Sequence, residues 1–240
     1  DRNGVVMYEH SSDNDSALYG VALDGSTLIR ILSMSKIVTI SIIMDLVENN
    51  TISLDDPVSN YIPEFKHLKV AQSPDGRTLS TFGTGSTFGT PMDSRTELAC
   101  PLELVENDSV MLVRHLIDHT AGFYYANTKM ECINDLIINE DPVMASNSDS
   151  WINILSRLPL IHHPGERSHY GLNTTVLGLV AERATGLTLE EMISRLITGP
   201  GKISGLKFKL DEGDQLIPTM TYRDGYFRTP EKGEMDILGK

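Results

Sequence analysis

The stretch ILSMSKIVTI, Ile31 to Ile40, sets Ser33 three positions before Lys36 at the start of a long apolar run. Residues three apart on a helix are neighbours, so the two side chains share a face if the run is helical. From Ser33 to Val47 the pattern is helical, with Ile37, Val38, Ile40, Ile42, Ile43, Met44, Leu46 and Val47 pointing almost all ways round and no charge between Lys36 and Asp45. Such a helix is expected to be buried on most sides. Ser33 is then either an N-cap or a nucleophile. A capping box would want Glu or Gln at the third helical position, where Lys36 stands. A cation there opposes the helix dipole, and burial and dipole together push a lysine toward its neutral form. A neutral amine beside a serine hydroxyl can accept its proton. The placement disfavours stability and favours chemistry, and local reasoning leaves both roles open.

Composition narrows the setting. The chain of 240 residues carries a net charge of −13, which argues against a nucleic-acid partner and favours a small or neutral ligand. Cys100 and Cys132 are the only two cysteines and form no disulfide framework; two thiols and one bridge are both open. No stretch approaches the ~18 uncharged apolar residues of a membrane helix, and no basic n-region with an apolar h-region opens the chain. These features fit a soluble protein of unassigned compartment, with no membrane partner.

Along the chain, Gly4–Glu9 and Ala17–Leu23 read as strands, and Ser80–Thr90 (STFGTGSTFGT) as a Gly/Thr/Ser-rich loop. Helices are expected at Ser109–His119, Ser150–Leu158, Asn173–Thr185 with Gly186 as its stop, and Leu189–Ile197. The last forty residues are polar and turn-rich. A second Ser-x-x-Lys, Ser204 with Lys207, lies in a Gly-rich turn where the two would share no helical face. His115 and His119 have the spacing of a metal-binding pair, but Leu116 stands where a zinc hydrolase would want Glu. They, and His162, His163 and His169, read as structural histidines, so no metal and no organic cofactor is expected. Asp55-Asp56 before Pro57 reads as a turn.

Three ordered segments carry a family resemblance. IRILSMSKIVTISIIMDLVENNTISLDDPVSNYIPEF (Ile29 to Phe65) is similar to the nucleophile helix and following segment of the serine β-lactamase-related family. That family includes class C β-lactamases, D-peptidases, esterases and acyltransferases. VRHLIDHTAGF (Val113 to Phe123) resembles its LL-x-H-T-S-G segment, with Ala121 where serine is usual. HPGERSHYGLNTTVLGLVAERATGLTLEEMI (His163 to Ile193) resembles the stretch that holds its second motif. The resemblance implies a β-lactamase/penicillin-binding-protein-like fold, α/β plus α, with an antiparallel sheet and a largely helical subdomain. One domain over 1–240 is expected, with an α/β part at 1–54, the helical subdomain at 55–197 and an irregular return at 198–240.

The resemblance also implies acyl transfer. Ser33 would be the nucleophile, Lys36 would activate it, and Tyr170 would relay the proton, with Lys36 as the nearby cation a phenol needs to act as a base. The backbone N–H of Ser33 would form half of an oxyanion hole. The substrate would be an ester or small amide. Two departures qualify this. The family's Tyr-x-Asn reads Tyr170-Gly171-Leu172, and leucine offers no hydrogen bond to a substrate amide, which favours esterase and acyltransferase branches. The third motif, Lys-Thr-Gly or His-x-Gly, does not follow Tyr170, so the domain reads as cut short within its α/β half. The alternative is therefore a weak or inactive relative acting by binding or self-association, with a second copy or a partner chain completing the sheet.

Overall fold

The computed structural model describes residues 7–8, 27–72, 102–126, 131–142, 145–203, 205–208, 210–217, 221–223 and 226–228. Apart from Met7 and Tyr8, the expected strands at 4–9 and 17–23 lie outside these residues, as do the 80–90 loop and Ser204. The chain divides into two compact units: Asp1–Ser35 with Ile197–Lys240, and Lys36–Leu196.

In the first unit, Leu28 bridges Leu216 in parallel, its N–H donating to Gln215 O at 2.8 Å and its carbonyl accepting from Ile217 N at 2.9 Å. Strands β3 (Thr221–Arg223) and β4 (Tyr226–Arg228) pair antiparallel in the segment that read as turn-rich. Lys207 forms ion pairs with Asp211 at 2.6 Å and Asp214 at 2.8 Å, so its cation serves a surface turn.

The second unit is built on helices. Helix α1 (Ser35–Glu48) is rich in β-branched residues, which are middling helix formers, so packing has to stabilise it. It buries Thr39, Ile42, Ile43 and Leu46, the i, i+3, i+4, i+7 stripe of one face. Most of its apolar residues are buried or half-buried, and the exception to the expected burial on most sides is one stripe, where Ile37 is 70% and Met44 45% exposed. Apolar composition alone does not report what lies opposite each face.

Helix α2 (Val113–Ile117) is shorter than expected, because the chain turns at His119, whose φ is +60°. Helix α3 (Glu131–Glu140) is absent from the sequence reading, although Ile133 and Ile137, one turn apart, are both buried. Helix α4 (Ser148–Leu155) begins at Asn147, whose side chain accepts from Ser150 N. Helix α5 (Asn173–Thr185) has the expected bounds and ends at Gly186 in the left-handed conformation. It is the central helix, with Val176, Leu177, Val180 and Ala181 all at 0% exposure, and α2 packs against it. Helix α6 (Leu189–Ile193) opens with a capping box of Thr188 and Glu191 and passes into a π-turn at Ser194–Thr198. A short antiparallel pair, β1 (Val70–Gln72) with β2 (Glu103–Val105), flanks the helices, and Val70 also bridges Leu160.

Asp55-Asp56 is the turn expected: Asp56 accepts from Ser53 N at 2.7 Å and from the Tyr61 hydroxyl at 2.5 Å. Burial beside that carboxylate pushes the Tyr61 phenol up to about 12. Cys132 is disulfide-bonded, which removes the two-thiol alternative; Cys100 lies outside the described residues.

Candidate active site

Two segments of the second unit lie side by side and fix the site. His169 N donates to His119 O at 2.8 Å, Gly165 N to Thr120 O at 2.8 Å, and Ile161 N to Gly122 O at 3.0 Å. The approach is closest at Gly171, where an added Cβ would stand 2.3 Å from Phe123 O and 2.6 Å from Tyr124 Cα. Only glycine fits there. The residue between Tyr170 and Leu172 therefore sets how near the two segments can come, and with it the position of the phenol.

Tyr170, 42% exposed, is held by rings on two sides. His119 stacks on it with centroids 4.9 Å apart and planes at 26°, and Tyr125 leans against it at 5.9 Å. Lys36, in the first turn of α1, places its Nζ 4.8 Å from the Tyr170 ring centroid, within cation–π range. Its ammonium also hydrogen-bonds the phenols of Tyr170 and Tyr125. Burial alone would lower the Lys36 pKa, but those phenols outweigh it and hold the group above the ordinary lysine value. Of the two expectations for Lys36, the neutral amine from burial and dipole and the cation implied by the resemblance, these contacts favour the cation. The sequence could not show that two phenols would converge on it.

Ser33 belongs to the other unit. It is exposed, in a single 3₁₀ turn (Leu32–Met34) closed by Met34 N donating to Ile31 O at 2.9 Å. Leu32, just before it, has φ +44°, a conformation that disfavours a bulky side chain. The Ser35 hydroxyl braces the turn, donating to Leu32 O at 2.6 Å. Ser33 lies one residue inside this 3₁₀ turn, ahead of α1. The structure thus brings Lys36 and Tyr170 together and sets Ser33 in the turn preceding them in the chain.

The other residues singled out have other work. His115 Nδ1 accepts from Leu112 N at 3.2 Å, so this histidine closes the start of α2. Leu172 is 7% exposed and packs into the core. Asn173 is fully buried, its amide donating toward His119 Nδ1 (3.1 Å), His169 O (3.2 Å) and Phe123 O (3.4 Å). Tyr125 and Asn173 went unread as site residues; for Tyr125 the only available signal was its place just beyond the His119–Phe123 turn.

The chain resembles esterase EstB of Burkholderia gladioli, 24% identical over 227 residues that cover 93% of this chain and 49% of that protein. It resembles protein Rv1367c of Mycobacterium tuberculosis (strain ATCC 25618 / H37Rv), 28% identical over 204 residues that cover 85% of this chain and 45% of that one. The solved structure of EstCE1, described as a hydrolase with promiscuous acyltransferase activity, superposes with a TM-score of 0.64 at 19% identity, over 88% of this chain and 47% of that one. This likeness, shared with a penicillin-binding protein from Bacillus halodurans at a TM-score of 0.56, shows a β-lactamase/penicillin-binding-protein-like fold. The chain spans about half the length of the curated relatives it matches. Residues 2–236 match the Beta-lactamase family model, and the chain belongs to that family.

Proposed function

We propose that this protein is a serine hydrolase or acyltransferase that works through an acyl-enzyme on Ser33 and takes esters in preference to amides. The observation that carries this reading is the Lys36 ammonium against the Tyr170 phenol. A cation there favours the phenolate, which makes Tyr170 a base able to take the Ser33 proton. Ser33 Oγ then attacks the acyl carbonyl, and the proton returns from Tyr170 to the departing alkoxide. Water or a second alcohol reverses the sequence and frees the enzyme. Lys36 acts on Ser33 through Tyr170, as a fixed cation. The preference for esters is supported by Leu172 and Asn173: the first is buried, and the amide of the second is committed to protein acceptors. Neither is offered to a substrate amide. The backbone N–H of Ser33 serves as one oxyanion donor in this reading.

A second reading, binding or self-association without turnover, has its own support in the open apolar face of α1 at Ile37 and Met44. Intact mass after fluorophosphonate treatment separates the two. One adduct on the wild type and none on Ser33→Ala supports the enzyme. A folded wild type that takes up no adduct would sink it, and a concentration-dependent mass in sedimentation would then favour association.

A further inference from the structure

We propose that Asn173 fixes His119 as the neutral, Nε2-protonated tautomer, and that this neutral ring is the positioning residue that holds the Tyr170 phenol against Lys36. The inference rests on the acyl-transfer reading above for its consequence, though not for its geometry. Asn173 is 0% exposed, and its amide nitrogen faces three acceptors: His119 Nδ1, His169 O and Phe123 O. Reversing the amide would aim its oxygen at two backbone carbonyls, so the carbonyls set which end meets the imidazole. His119 Nδ1 is then an acceptor, and the proton of the neutral ring sits on Nε2. The Asn173 Oδ1 is left buried without a partner among the described residues, a cost the fold accepts in keeping the nitrogen where it is.

An imidazolium would need an N–H at Nδ1, pointed at the N–H of Asn173. The groups facing His119 are Lys36 from α1, Asp118 beside it, and His169 and Tyr170 from the opposed segment. A second cation at His119 would oppose the Lys36 ammonium and compete with it for the phenolate. Burial, and then Lys36, lower the His119 pKa, in the same sense as the amide. Sequence distance hid this: His119 and Asn173 are 54 residues apart.

Nitrogen-15 NMR of the imidazole rings, with His119 assigned through its backbone, tests the proposal on the wild type. The expected result is a bare Nδ1 and a protonated Nε2 at neutral pH. A protonated Nδ1 would overturn it. Asn173→Asp places an acceptor where the donor was, so His119 should gain a proton more readily. The acid limb of the Ser33 labelling rate should then move up by about 1 pH unit or more. A merely structural role would lower labelling at every pH and leave the limb in place, and that result on folded variant would also overturn the idea. If Asn173→Asp does not fold, the wild-type tautomer decides. If wild type never labels, the acyl-transfer reading fails separately, and the tautomer still decides this one.

Discussion

A single ammonium, that of Lys36, carries most of the proposed chemistry. Tyr170→Phe keeps the ring, its stack on His119 and its contact with Lys36, and removes only the hydroxyl. The Ser33 labelling rate should fall about 10²- to 10⁴-fold, the usual worth of a general base, with the folded state intact. Lys36→Met should cost a similar factor and shift the remaining labelling toward alkaline pH, because the phenol loses its cation. A pH–rate profile unchanged by Lys36→Met would show that the lysine does not tune Tyr170. Ser33, Lys36 and Tyr170 could be nominated from the sequence because their neighbours carry the family's pattern, and the nearness of Lys36 to Tyr170 is what the fold adds. The place of Tyr125 and the use of Asn173 were not legible there, since each depends on which distant groups the fold brings near. Leu172 and Asn173 show the limit well: the missing amide donor was visible, but not that Asn173 is committed to His119.

At the level of elements, α1 has two unlike faces. Ile43 is fully buried, and Ile43→Ala should destabilise by about 2–5 kcal/mol. Ile37 is mostly exposed, and Ile37→Ala should change stability by no more than about 0.5 kcal/mol. Equal losses in urea denaturation would contradict this two-faced description. Thr188→Ala removes the hydroxyl that accepts from Glu191 N at the start of α6 and should cost about 1 kcal/mol. Helix α5 was readable to the residue, since an apolar pattern and a glycine stop agree there. Helix α2 came out short because a left-handed His119 ends it, a turn no propensity announces. Helix α3 had the i, i+4 signal at Ile133 and Ile137, diluted by two asparagines and an aspartate.

For the molecule as a whole, acid is the weak direction. Burial, with the nearby charges of His162, Arg167 and His119, pulls the His169 pKa from 6.5 to about 4, and burial lowers His162, His119 and His115 as well. Between those two values the unfolded chain binds a proton at His169 that the folded chain refuses. The stability is complete above about 6.5 and is lost as pH falls toward about 4. The net charge of −13 at pH 7 vanishes near the pI of 4.9, inside the same window, while the α1 face stays apolar. Melting temperature should therefore drop, and turbidity peak, on acidification from pH 7 to pH 5. A Tm flat across that range would mean that the buried histidines are hydrated.

The contact at Gly171 has a practical consequence for anyone who would broaden the substrate range by random mutagenesis. A codon that sits beside a proposed catalytic phenol is an obvious choice to randomise. Here nearly every clone altered at that codon would be lost to misfolding before it could be screened, because the opposing peptide already fills the space. Diversity is better placed at Ala126, which is exposed and can change without prying the two strands of chain apart.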